Sequence, residues 1–131
     1  MESALPFDDP LGASLKGLAR AIELKEAGHL DEAAGLFDRL VAKAPDDPTI
    51  LINAAIVANL RQDHSQAIRW LSRATEVAPR NGIAWAQLGL AMHRIGQLEL
   101  ALTALDRAVE LAPAHGPAQV ERAQVRSLLG L

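Results

Sequence analysis

Four histidines, His29, His64, His93 and His115, are the side chains best suited to hold a metal or move a proton. Three carboxylate pairs, Asp8-Asp9, Asp31-Glu32 and Asp46-Asp47, could do acid–base work. Their spacing argues against both. No HExxH and no i, i+4 histidine pair occurs, and the chain has no Cys to supply a thiolate. His29, His64 and His115 fall at predicted turns, where a solvated imidazole is the ordinary state. The carboxylate pairs fall near predicted helix starts, where the macrodipole favours negative charge without any catalytic role. Ser14, Ser65, Ser72 and Ser127 follow no GxSxG or SxxK pattern, and Asn81-Gly82 reads as a helix start, not a phosphate loop. No enzyme activity, metal or cofactor is expected.

The composition bounds what such residues could be placed on. A chain of 131 residues allows one domain. Its 50% hydrophobic content gives ample apolar surface to bury, which excludes a disordered tail. No run approaches the ~18 apolar residues of a membrane span. Met1-Glu2-Ser3-Ala4-Leu5-Pro6 lacks basic residues followed by an apolar stretch, so no secretory signal and a cytoplasmic location are expected. A net charge of −3 with no basic stripe argues against nucleic acid as a partner. Arg outnumbers Lys and Ala is abundant, which suits a GC-rich bacterial source. Aromatic residues are scarce at 3%, so helices are favoured over strands.

The positioning elements recur at a fixed interval. Ala44-Pro45, Ala78-Pro79 and Ala112-Pro113 lie 34 residues apart, as do Ala33, Ala67 and Ala101, and Phe37, Leu71 and Leu105. Such a period signals stacked supersecondary units. An apolar pattern of helical spacing precedes each Pro, as in Ala101, Leu102, Leu105, Ala108, Val109 and Leu111. Pro ends that helix, since it lacks an N–H and clashes with the turn before it. Asp47 before Pro48 and Asn81 before Gly82 then offer N-caps for the next helix. Gly28 and Gly96 suit the left-handed position between the two helices of a unit, with Gln62 at the equivalent place in the middle unit. The pattern predicts helices at about 10–27, 30–43, 48–61, 64–77, 82–95, 98–111 and 117–129.

These residues resemble the tetratricopeptide repeat family, whose signature is W-x2-L-G-x2-Y…A-x3-F…P. The third unit reads Trp85-x2-Leu88-Gly89-x2-Met92, then Gly96, Ala101-x3-Leu105, Ala108 and Pro113. The second gives Leu51, Ala54, Ala55, Ala58, Ala67, Leu71, Ala74 and Pro79. The first gives Ala21, Leu24, Gly28, Leu30, Ala33, Phe37 and Pro45, with Gly17 and Arg20 where a large aromatic and a Leu are usual. The resemblance implies an all-α, right-handed solenoid of helix-turn-helix repeats. Residues 1–13 would be an extended N-terminal tail. Residues 14–47, 48–81 and 82–115 would be the repeats, and 116–131 a capping helix. In that last helix Ala118, Val125 and Leu129 would face the preceding repeat, while Gln119, Arg122, Ala123 and Arg126 leave the other side wet.

The resemblance also implies a groove lined by the first helix of each unit. It would present Leu15, Leu18, Ala19, Ile22, Lys25 and Glu26, then Thr49, Ile52, Asn53, Ile56, Asn59 and Leu60. The third unit would add Ile83, Ala86, Gln87, Leu90, His93 and Arg94, and the cap Val120, Glu121 and Gln124. Some relatives grip a C-terminal carboxylate of heat-shock chaperones with two Lys, two Asn and an Arg. At those positions stand Leu18, Ile22, Asn53, Ile83 and Gln87, so only Asn53 matches. In place of that clamp comes an apolar strip of Leu15, Leu18, Ile22, Ile52, Ile56, Ile83, Leu90 and Val120, rimmed by Lys25, Asn53, Asn59, Gln87, His93 and Arg94.

The expected function is therefore a protein–protein interaction module that holds an apolar helix or extended peptide in its groove. A chaperone for one hydrophobic client, resembling bacterial secretion chaperones, is the second expectation. Self-assembly is a third, through the groove, through the N-terminal tail, or through Leu128, Leu129 and Leu131. The tail carries Leu5, Phe7 and Leu11 around Pro6 and Pro10; an ordinary frayed lead-in is the first expectation for it, and an extended plug in the groove, in cis or from a second copy, the other.

Overall fold

The computed structural model describes the backbone of residues 10–131 and side chains from Leu15 onward. The groove-plug expectation for Leu5, Phe7 and Leu11 lies outside these described residues. Among them the chain forms helices and no strands. The order is α1 (Pro10–Glu26), α2 (Leu30–Lys43), α3 (Pro48–Leu60), α4 (His64–Val77), α5 (Gly82–Arg94), α6 (Leu98–Leu111) and α7 (Gly116–Leu128). Each helix packs on the next, and α1 on α3, α3 on α5 and α5 on α7, the neighbour pattern of a helical solenoid. No described helix is long and apolar enough to cross a membrane.

The helix boundaries follow local chemistry. Pro10 is the first residue of α1, where the apolar pattern places the start of the first helix, so that helix begins ahead of the 34-residue unit counted from residue 14. The fixed φ of Pro suits a first helical position, which loses no hydrogen bond there. Asp47 caps α3 by accepting from the backbone N–H of Thr49 and Ile50 at 2.9 and 3.3 Å. Asn81 caps α5 the same way through Ile83 and Ala84, at 3.0 and 3.2 Å. Helices α2, α4 and α6 end at Lys43, Val77 and Leu111, two residues before Pro45, Pro79 and Pro113.

The turn inside each repeat needs a left-handed residue. Gly28 and Gly96 supply φ of +85° and +84°, but Gln62 takes +67° at the same place in the second repeat. A side chain there costs about 1 kcal/mol relative to Gly. Gln62→Gly should therefore raise the unfolding free energy by about 0.5–1 kcal/mol, read as a higher urea midpoint at unchanged slope.

The core repeats with the sequence. Phe37, Leu71 and Leu105 are fully buried at one register, and Ala33, Ala67 and Ala101 let the two helices of each repeat approach. Helix α3 has neighbours on several sides and buries Ile50, Leu51, Ile52, Ala54, Ala55, Val57, Ala58 and Asn59. A helix apolar nearly all round is what such a central place demands. Helix α7 packs on α5 and α6. Ala118 joins Ala86 and Ala108, and Val125 joins Ala101 and Leu105. Its other side is polar: Gln119 bonds the carbonyl of Pro113, and Arg122 lies 3.5 Å from Asp106. Leu129 is half-buried, whereas Leu128 and Leu131 are exposed.

Candidate functional site

The face lined by α1, α3, α5 and α7 carries the groove residues that the sequence singled out. On it the aliphatic side chains divide into two groups. Leu15, Ile83 and Val120 are exposed, and Leu18, Ile22, Ile56 and Leu90 are half-buried. Leu60, one turn beyond Ile56, is 54% exposed. Ile52 departs from the expectation. It is only 7% exposed and packs with Leu51, Ala55 and Leu88 in the central core, because the neighbours of α3 cover that position. A ligand would not reach it without opening the stack.

The polar residues read as a rim are largely spent on one another. Lys25 Nζ donates to Asn53 Oδ1 at 3.1 Å. Asn59 Nδ2 donates to Gln87 Oε1 at 3.0 Å and to the Gln87 carbonyl at 3.3 Å. His93 Nδ1 pairs with Glu121 Oε2, which also accepts from Arg94 Nη1 at 2.9 Å. All three contacts join residues 28 apart. With a 34-residue period, that spacing links the twelfth position of one first helix to the sixth of the next. The same stitch therefore ties each repeat to its successor. Asn53 is further held by its Nδ2 donating to the Thr49 carbonyl at 2.9 Å.

Asn59 is the deepest of these residues, at 5% exposure. Its Oδ1 lies 2.9 Å from His64 Nδ1, so His64 is half-buried and engaged, unlike the solvated turn histidine expected. His93 and Glu121 are likewise mostly covered. These pairings were the features that reading residue types alone missed, although polar residues at a 28-residue spacing were present in the sequence. Asn59→Ala would remove donors to Gln87 and leave half-buried polar partners unmatched, at a cost of about 1–2 kcal/mol. Thermal unfolding monitored by circular dichroism should show the corresponding loss of several degrees.

Between the stitches lies open space. Ile56, Leu60, Leu90, Asn59, Gln87 and Arg94, with Gln62 and His64, line a cavity of about 250 Å³ between the second and third repeats. A smaller one of about 70 Å³ continues past Ala86, Gln87 and Leu90 to Pro117, Ala118 and Glu121. The surface can thus bury aliphatic groups between repeats, with few uncommitted polar groups to offer. Among the described residues no cluster of three or more His, Asp or Glu is placed to hold a metal ion. The titration shifts that the structure supports lie off this face. The hydrogen bond from Arg73 Nε, at 2.7 Å, and the charge of that guanidinium hold the Asp46 carboxyl below the usual range. A depressed carboxyl pKa stabilises the fold above the ordinary Asp value and loses that effect as pH falls through the native one. The pair lies at the surface, so salt screens it.

Comparisons with known proteins agree with this architecture. The family model described as tetratricopeptide repeat matches residues 18–76 and 62–115. Superkiller protein 3 of Saccharomyces cerevisiae is 35% identical over 63 residues, 48% of this chain. The chain spans about 4% of that relative's length. Among solved structures, the first TPR of Spaghetti (RPAP3) bound to the HSP90 peptide SRMEEVD superposes with a TM-score of 0.85 at 20% identity, covering 90% of this chain and 94% of that one. The Sgt2 TPR domain from Aspergillus fumigatus gives 0.85 at 21% identity, covering 90% and 80%. MamA from Desulfovibrio magneticus gives 0.82 at 21%, covering 89% and 66%. With the family model spanning most of its length, this chain belongs to the tetratricopeptide repeat family, whose domains are protein–protein interaction modules.

Proposed function

We propose that the face lined by α1, α3, α5 and α7 binds an apolar helix or extended peptide of a partner protein, with no chemistry performed on it. One observation carries this reading: aliphatic side chains stand open between repeats while their polar neighbours are committed to inter-repeat bonds. Leu15, Leu60, Ile83 and Val120 are exposed there, and Ile56 and Leu90 line the larger cavity. Burying apolar area is worth about 25 cal/mol per Å². Exposed ion pairs contribute only about 0–1 kcal/mol. Apolar contact therefore dominates binding on such a face, and affinity should depend weakly on salt.

An acidic peptide tail such as SRMEEVD, bound by the RPAP3 relative, suits this face poorly. Lys25 is bonded to Asn53 and Arg94 to Glu121, and Leu18, Ile22, Ile83 and Gln87 bring no cation. Leu60→Glu tests the reading, because Leu60 is exposed enough to change without disturbing the core. The variant should keep its melting temperature yet weaken the partner recovered by wild type by about tenfold or more, in a pull-down followed by titration calorimetry. Equal affinity in a folded Leu60→Glu would refute groove binding.

A further inference from the structure

The two junctions between repeats use the same positions with different side chains. Where α4, α5 and α6 meet, Ile68, Leu88 and Met92 pack into the central core. The positions 34 residues earlier hold Ala34, Ala54 and Ala58. Trp70 stands at the place of Ala104 and touches the core clusters of both repeats, so it fills part of the missing volume. A cavity of about 220 Å³ remains between α2, α3 and α4, and it shares no lining residue with the groove. That volume is below the roughly 300 Å³ at which drug-sized sites begin, and it suits one side chain.

The lining is amphipathic. Ala34, Ala54, Val57 and Ala58 give apolar walls, and Trp70 adds an indole. Asp38, Asp63, Gln66 and Arg61 supply the polar part. Arg61 is matched outside the cavity, its Nε donating to Asp31 Oδ1 at 3.0 Å. One oxygen of Asp63 accepts from the Gln66 backbone N–H at 3.3 Å. Among the described residues neither Asp38 nor Asp63 enters an ion pair. The complement is a group with an aliphatic stem and a planar, delocalised cation. Arginine fits: its methylenes lie against alanines, its guanidinium stacks on an indole, and its fork donates to carboxylates. A lysine would match the charge without the stacking or the fork.

We propose that this cavity receives a single arginine side chain presented by a partner protein, at a second surface independent of the groove. Indole resonances of the full chain test it, because Trp85 is an internal control whose Nε1 donates to the Pro79 carbonyl at 2.8 Å. Titration with the peptide acetyl-Gly-Arg-Gly-amide should shift the Trp70 indole N–H saturably and leave Trp85 unmoved. Asp38→Asn, a change at an exposed residue, should weaken that binding about tenfold. Ala58→Met, which restores the residue found at Met92, should abolish it.

No saturable Trp70 shift at ~20 mM peptide, above the millimolar range expected of one side chain, would overturn the proposal. So would equal shifts of both indoles, equal binding by the lysine or leucine version of the peptide, or unchanged affinity in folded Asp38→Asn. Free arginine binding about tenfold tighter than the peptide would assign the cavity to the amino acid and overturn the protein partner.

Discussion

Phe37→Ala should lower the unfolding free energy by about 3–5 kcal/mol, the range for truncating a buried Phe. Phe37 is fully buried and is the largest side chain in the core of the first repeat, against Ala21, Leu24, Ala33, Leu40 and Ile50. A domain of this size has about 5–15 kcal/mol in hand, so roughly a fifth or more of its stability is at stake. The loss should be uneven along the chain. Repeat proteins couple mainly to nearest neighbours, so amides of α1 and α2 should lose exchange protection well before those of α5 and α6. Urea unfolding combined with hydrogen exchange reads both effects. A change under about 1 kcal/mol, or protection lost equally in all repeats, would contradict the stacked-unit account.

Gly89→Ala should be destabilising although Ala is the better helix former. The propensity gain is about 0.8–1 kcal/mol. Against it, a Cβ on Gly89 would sit 2.5 Å from Leu105 Cγ, 2.8 Å from Leu105 Cδ2 and 3.2 Å from the Ala101 carbonyl oxygen. Leu105 is fully buried and its Cγ is not the free end of the side chain, so α5 and α6 must separate. Overpacking of this kind costs about 1–3 kcal/mol, and the clash wins. Differential scanning calorimetry should show a lower melting temperature. The same change at Gly35, where an added Cβ would meet nothing within 4 Å, should not lower it.

The 34-residue interval made most of the architecture readable. Ala-Pro pairs, the caps Asp47 and Asn81, and the buried register of Phe37, Leu71 and Leu105 are all local or periodic signals. Where the period is broken, packing decided the outcome. Gly17 stands where later repeats hold Leu51 and Trp85. A Cβ there would lie 3.1 Å from Leu40 Cδ2, so α1 approaches α2 closely in place of a large side chain. Gln62 takes a glycine's left-handed place in a turn closed by the same backbone bond as in the other repeats, Asp63 N–H to the Ala58 carbonyl at 2.8 Å.

The groove was less legible. A residue's place on a first helix does not say whether the next repeat covers it, which is why Ile52 proved to be core. Nor do residue types reveal that Lys25, Asn59 and His93 reach across to Asn53, Gln87 and Glu121. Once those bonds are drawn, the apolar character of the remaining surface stands out more clearly than it does in sequence.

The most direct measurement is a methyl-resonance titration of the chain with a partner segment recovered by the wild type. Saturable shifts should gather on Ile56, Leu60, Ile83 and Leu90, with Leu71 and Leu105 quiet in the core. Binding that leaves those four methyls unmoved and perturbs only the outer faces of α2, α4 and α6 would contradict the account.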